Sequence, residues 1–208
     1  DEPSLPSGQP GINDPSSLFD PLFAKELERR GYIESAANIT SEDVANITEL
    51  DVSGEYDNRG ELKSLRGIEY FVNLKLLDCD YNQLTELDVT GNPALTSLSC
   101  HHNQLTELDV TGNPALTSLS CHYNQLTELD VTGNAALTEL YCSFNQLTEL
   151  DVTNNIALTF LHCAQNELAE LDVTGNMELT QLYCYDNQLT ELDVTNNIAL
   201  TFLHCAQN

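Results

Sequence analysis

Apolar residues recur along this chain in two short alternating patterns that repeat in fixed phase. In residues 105–125, LTELDVTGNPALTSLSCHYNQ, one half carries Leu105, Leu108, Val110 and Asn113, and the next carries Leu116, Leu119, Cys121 and Asn124. The string restarts at Leu84, Leu105, Leu126, Leu147, Leu168 and Leu189, and Cys79, Cys100, Cys121, Cys142, Cys163, Cys184 and Cys205 stand 21 residues apart. A fixed period of this length is the signature of a solenoid, in which each unit buries its apolar side only against its neighbours.

Alternation around Leu98-Ser99-Cys100 and around Leu108-Asp109-Val110 predicts two short strands per coil. Each would stack on its counterpart one coil away at about 4.8 Å, giving two parallel sheets and little helix in the repeats. The column Gly91, Gly112, Gly133, Asn154, Gly175, Asn196 holds the residue types that best tolerate a left-handed backbone, so it reads as a turn. Asn82, Asn103, Asn124, Asn145, Asn166, Asn187 and Asn208 recur once per coil, where a buried carboxamide can satisfy turn groups that no strand pairs. Asn92, Asn113, Asn134, Asn155, Asn176 and Asn197 read the same way in the second half.

The first quarter follows a different pattern. Asp20-Pro21 reads as a helix start and Gly31 as its stop, with Leu22, Phe23 and Leu27 forming one apolar side. Thr40 to Ile47 reads as a second short helix, with Asp43 three residues after Thr40. A solenoid end exposes apolar core and unpaired strand groups, so these helices are expected to lid the first coil. The chain thus divides into a flexible tether (1–15), a helical N-terminal cap (16–52), a cap-joining first coil (53–83) and six 21-residue repeats (84–208). The sequence stops inside a unit at Asn208 and offers no closing segment, which predicts further repeats, a cap, or self-association through the uncapped C-terminal end.

Leu62, Leu65, Gly67, Ile68, Phe71, Leu74 and Leu77 resemble the early repeats of the internalin class of bacterial leucine-rich repeat proteins, whose LxGIxxLxNL-like pattern usually has leucine where Phe71 stands. The following units are similar to the cysteine-bearing subtype LxxLxCxxNxLxxLDVxxNxx of bacterial surface proteins. This resemblance covers residues 47–208. It implies a right-handed leucine-rich repeat solenoid, an extracellular or cell-surface location, and recognition of other molecules. The helical cap departs from the usual internalin cap, so that family's receptors are not carried over.

Charge narrows the partners. The formal net charge is −26, and all seven Lys and Arg residues precede position 76. Nucleic acid and anionic lipid both need basic groups, so both are disfavoured. No apolar run is long enough to span a bilayer. Residues 1–15 lack the charged and apolar regions of a signal peptide, so any export signal is expected to have been removed.

The seven cysteines take an inward strand position and read as a buried thiol ladder. Parallel side chains and an odd count disfavour disulfides. A metal site at Cys100-His101-His102 fails on alternation, because Cys100 faces in and His101 faces out; Asp80, His101 and His122 in a straight file make a poor ligand set. Glu86, Glu107, Glu128, Glu149, Glu170 and Glu191 form one outward acidic column, and Asp88, Asp109, Asp130, Asp151, Asp172 and Asp193 another. They read as a solvated face, with calcium bridging as the alternative. No cofactor is expected.

The units differ from one another at the outward positions beside the Cys-side strand. Tyr141, His162, Tyr183 and His204 fall in one such column, Phe160 and Phe202 in a second, and His101, His122 and Tyr185 in a third. Rings on a rigid sheet are typical anchors for protein or glycan ligands, which predicts a recognition or adhesion module without catalysis. Two alternatives stand beside it. Residues 150–166 and 192–208 are identical, so the variation could be drift after recent duplication, and the rod could be a spacer or stalk with no specific ligand.

Overall fold

The structure is a computed structural model that describes residues 18–208. The tether expected at residues 1–15 lies outside the described residues. Helix α1 spans Pro21–Arg29. It starts where the Asp20 carboxylate accepts the N–H groups of Leu22 and Phe23 at 2.8 and 3.1 Å, and Gly31, at φ 79°, ends it. Helix α2 covers only Ser41–Val44, shorter than the pattern suggests; the Thr40 N–H and hydroxyl both donate to the Asp43 carboxylate at 2.8 Å.

Helix α1 turns Phe23, Ala24 and Leu27 inward. Phe23 meets Phe71 at 6.0 Å between ring centroids and Phe19 meets Tyr70 at 5.6 Å, which seals the first coil with aromatic surface. Full burial of a Phe side chain contributes about 1.5–3 kcal/mol. Gly67 makes this closure possible: its φ is 107°, and a Cβ there would sit 2.3 Å from Phe19 Cδ1.

The coils form one parallel sheet of three-residue strands in chain order: β1 Glu49–Asp51, β2 Leu76–Asp78, β3 Ser97–Ser99, β4 Ser118–Ser120, β5 Glu139–Tyr141, β6 Phe160–His162, β7 Gln181–Tyr183 and β8 Phe202–His204. Register is set by the central leucines, Leu50 on Leu77, Leu77 on Leu98 and so on to Leu203. Each central leucine up to Leu182 is buried, and so is each cysteine from Cys79 to Cys184. Val52 stands in the thiol column one coil before Cys79, and its N–H donates to Asp78 O at 2.8 Å. All seven thiols are free; those from Cys79 to Cys184 stack within the core, as the alternation requires, whereas Cys205 is exposed and departs from the buried ladder expected of all seven.

The second predicted sheet is absent among the described residues; a single bridge, Asp88 to Asp109, joins that side. Local turns have taken its hydrogen-bonding groups. In each of the six repeats an Asp side chain accepts from the Thr two residues on, as Asp109 Oδ1 does from Thr111 N at 2.9 Å and Thr111 Oγ1 at 2.6 Å, and Asp51 accepts from Ser53 in the same way. Val110 O accepts Asn113 N at 3.0 Å and Asn134 Nδ2 from the next coil at 3.0 Å. With both groups engaged, side-chain amides join these coils in place of a strand ladder.

The left-handed turn also falls elsewhere. Tyr81, His102, Tyr123, Phe144, Gln165, Asp186 and Gln207 hold φ between 52° and 59°, and the Gly91 column does not. Each left-handed residue lies just before the Asn that closes the turn. Asn103, for example, accepts Leu84 N through Oδ1 at 3.0 Å and donates through Nδ2 to Cys79 O and Cys100 O, both at 3.0 Å. Residues 91 and 112 are Gly because of crowding: a Cβ would lie 2.8 Å from Glu69 Cβ and 3.1 Å from Thr90 Cα. At Gly175 the nearest atom is 3.5 Å away, and Asn fits at 154 and 196.

Candidate binding face and histidine cluster

Strand alternation puts the first and third residue of each strand outward, and the coil spacing brings successive rings into contact. His101 and His122 stack at 4.3 Å, His122 reaches Tyr141 at 6.5 Å, and Tyr141 stacks on Phe160 at 4.5 Å. Phe160 then meets Tyr183 at 5.7 Å and Tyr183 meets Phe202 at 4.7 Å. His162 touches Tyr183 at 5.0 Å and Tyr185 at 6.0 Å, and Tyr185 stacks on His204 at 4.4 Å. All nine candidate residues therefore lie in one chain of ring contacts. Most are half-buried, while Phe202 and His204 on the last strand are exposed.

Packing of this kind changes the titrating groups. Burial, and then His204, lowers the His162 imidazole; burial, then Glu139 and Tyr183, raises the Tyr141 phenol. Both side chains stay uncharged near neutral pH, which favours contact with apolar or aromatic partner surface.

A second row of rings runs along the left-handed column. Tyr81 stacks on His102 at 4.5 Å, His102 on Tyr123 at 4.2 Å and Tyr123 on Phe144 at 4.0 Å. Tyr123 is 40% exposed. Strand alternation carries no signal past the last strand residue, so the sequence pattern does not fix which way these rings face. The left-handed φ ends the alternation and turns residue 102 back to the side that His101 occupies.

That turn assembles a cluster that the strand pattern rules out. His101, His102 and His122 each offer a ring nitrogen, and the three atoms lie within 4.8 Å of one another. Beneath them Asp80 is buried, and its carboxylate accepts from Ser99 Oγ at 2.7 and 2.8 Å and from His101 N at 2.7 Å. Its Oδ2 also meets His101 Nε2 at 2.7 Å. Burial, then His101 and His102, lowers the His122 imidazole to about 4. Ser120 Oγ lies 3.0 Å from His122 Nδ1, but among the described residues no carboxylate hydrogen-bonds that ring, so a Ser-His-Asp relay is not assembled.

The opposite, acidic side carries an open groove of about 780 Å³, lined by Glu107, Asp109, Glu128, Asp130, Glu149 and Asp151 with their Leu and Thr neighbours. Its volume marks a trough between two side-chain columns and not a reaction site. The Thr111 and Thr132 hydroxyls and amides hold the Asp109 and Asp130 carboxyls below the usual range, so these groups are ionised turn caps. No helix is long and apolar enough to cross a membrane among the described residues.

Comparison with known proteins bears on the same features. No protein-family model matches the chain, and no curated protein matches it. Among solved structures, the functional domain of InlJ from Listeria monocytogenes, described as including a cysteine ladder, superposes with a TM-score of 0.73 at 39% identity, over 94% of this chain and 47% of that one. A leucine-rich repeat protein of Leptospira interrogans gives 0.71 at 29% identity, over 78% of this chain and 44% of that one. Internalin C2 from Listeria monocytogenes gives 0.79 at 23% identity over 92% and 87%, a likeness of fold alone. The chain thus spans about half the length of the first two.

Proposed function

The chain is a leucine-rich repeat protein of the internalin-like class with cysteine-bearing 21-residue repeats, and from that premise we propose that it is a secreted or surface-displayed recognition module. It binds a protein ligand through the ring-bearing face of β5–β8, without catalysis. One observation carries this reading: Tyr141, Phe160, Tyr183 and Phe202 form a continuous row of contacts across four adjacent strands that the core does not require. Core packing is complete without them, since Leu140, Leu161 and Leu182 fill the interior. Rigid rings held by a sheet lose little side-chain entropy on binding, which is why such rows act as anchors. The formal charge of −26 steers the module toward a partner with a basic rim.

The rod is screened against arrays of extracellular proteins and glycans, and hits are compared with a variant carrying Tyr141→Ser, His162→Ser, Tyr183→Ser and His204→Ser. The variant gives up the ring contacts of these four side chains, at about 0.5–1.5 kcal/mol per pair, so binding is compared well below its melting temperature; Ser99 and Ser120 show that the column folds without rings. Binding should fall at least ~10-fold. Unchanged binding would remove the recognition reading and leave the spacer. Hits confined to the glycan array would replace the protein ligand by a carbohydrate on the same rings.

A further inference from the structure

We propose that His101, His102 and His122, with Asp80 behind them, form a site for one divalent transition-metal ion of the zinc type. Strand residues alternate, so His101 and its neighbour would face opposite ways, but φ 54° at His102 brings its ring round beside His101. The coil repeat then lays His122 over His101, with centroids 4.3 Å apart. Three imidazoles from two adjacent coils thereby converge, with their ligand atoms within 4.8 Å of each other.

The environment suits coordination better than simple stacking. Asp80 accepts from His101 Nε2, so Nδ1 is the ring nitrogen left for another partner. That Nδ1 is buried and has no hydrogen-bond partner, a costly state for a polar atom unless something else satisfies it. Asp80 is itself buried and tied to Ser99 and to the His101 amide, so it fixes the ring as carboxylates fix histidines in carboxylate-histidine-zinc triads. On His122, Ser120 takes Nδ1 and leaves Nε2 free. A metal-nitrogen bond of about 2.0–2.1 Å requires ligand atoms somewhat closer than 4.8 Å, so binding would draw the rings in by about 1 Å. Three borderline nitrogen donors and a half-exposed setting leave a coordination position for water or for a partner's side chain.

The sequence supplies neutral controls, because sibling coils show what each position tolerates. Ala164 and Ala206 stand where His101 does, Ser143 where His122 does, and Gln165 and Gln207 where His102 does. Metal-free protein in a Cys205→Ser background is titrated with Zn²⁺ by calorimetry, with excess Ca²⁺ present to occupy the exposed carboxylates. The expected result is one Zn²⁺ per chain, weakened at least ~10-fold by His102→Gln, and about 10-fold by Asp80→Asn, which is a positioning residue. Substitution by Co²⁺ should give a visible absorption band that His102→Gln abolishes. Absence of saturable Zn²⁺ binding, or binding retained in the His101→Ala, His102→Gln, His122→Ser variant, would overturn the site. If that triple variant fails to fold, the single His102→Gln decides alone. None of these residues is changed in the ligand-binding variant, so failure of the metal site and failure of the recognition face are read separately.

Discussion

His102 and Tyr123 stack with centroids 4.2 Å apart and planes within 10° of parallel, although both hold a left-handed backbone that bulky residues normally avoid. A left-handed non-glycine residue costs roughly 1–2 kcal/mol. Each aromatic pair returns about 0.5–1.5 kcal/mol beyond the area it buries. In this column the rings offset the backbone: Tyr81, His102, Tyr123 and Phe144 stack, and where the stack stops the residues become Gln165 and Asp186.

This balance predicts opposite responses to glycine. Tyr123→Gly loses three ring contacts, two stacked at 4.2 and 4.0 Å and one edge-on to His122 at 5.6 Å, while Gln165→Gly loses one part-buried hydrogen bond to Asp186. Both relieve the same strain. Tyr123→Gly should be less stable than Gln165→Gly by at least ~1 kcal/mol in urea unfolding. Equal midpoints would show that the stack contributes nothing to the turn.

The thiol ladder predicts selective reactivity. Burial pushes the Cys121 thiol up to about 12, and burial likewise raises Cys100 and Cys142, so these groups stay protonated and covered. Only Cys205 is exposed. Alkylation of native protein, followed by peptide mass spectrometry, should label Cys205 alone, and all seven cysteines should react after unfolding. Native labelling of Cys121 at the rate of Cys205 would contradict a closed core.

Acid should weaken the fold through His122. Its folded value of about 4 lies below the ordinary 6.5, so between those limits the unfolded chain binds a proton that the folded chain refuses. The stability His122 supplies is complete above pH 6.5 and is lost as pH falls toward 4. Asp78 acts in the opposite sense: burial, then Asp80, raises it to about 6, so it favours the folded state as pH falls through that value. Comparing parent with His122→Ser isolates the histidine. With chelator present, the parent should lose more stability than the variant between about pH 7 and about pH 5. Parallel losses would mean that the His122 ring charges freely in the folded chain.

Legibility varied along the chain for identifiable reasons. Leu98 and Cys100 read correctly as inward because a strand's side chains alternate whatever surrounds them. Asn103 read correctly as a turn carboxamide because its recurrence leaves few other roles. The second strand around Asp109 misled, because the same alternation also fits an extended segment in which the Thr111 N–H goes to the Asp109 carboxylate and the Val110 C=O accepts from Asn134 Nδ2, leaving nothing for a neighbouring strand. Gly112 misled because a small residue signals close approach as readily as a left-handed turn.

By itself the sequence determined the solenoid, its register and its helical lid, since these rest on periodicity and on capping chemistry local to a few residues. Tertiary structure alone decided which residues meet across coils. His102 joins His101 because of one backbone angle, and His101 holds a buried unpartnered nitrogen because Asp80, 21 residues earlier, lies directly beneath it. Neighbour relations between coils depend on where each turn falls, and the turn is set by hydrogen bonds that span a whole repeat.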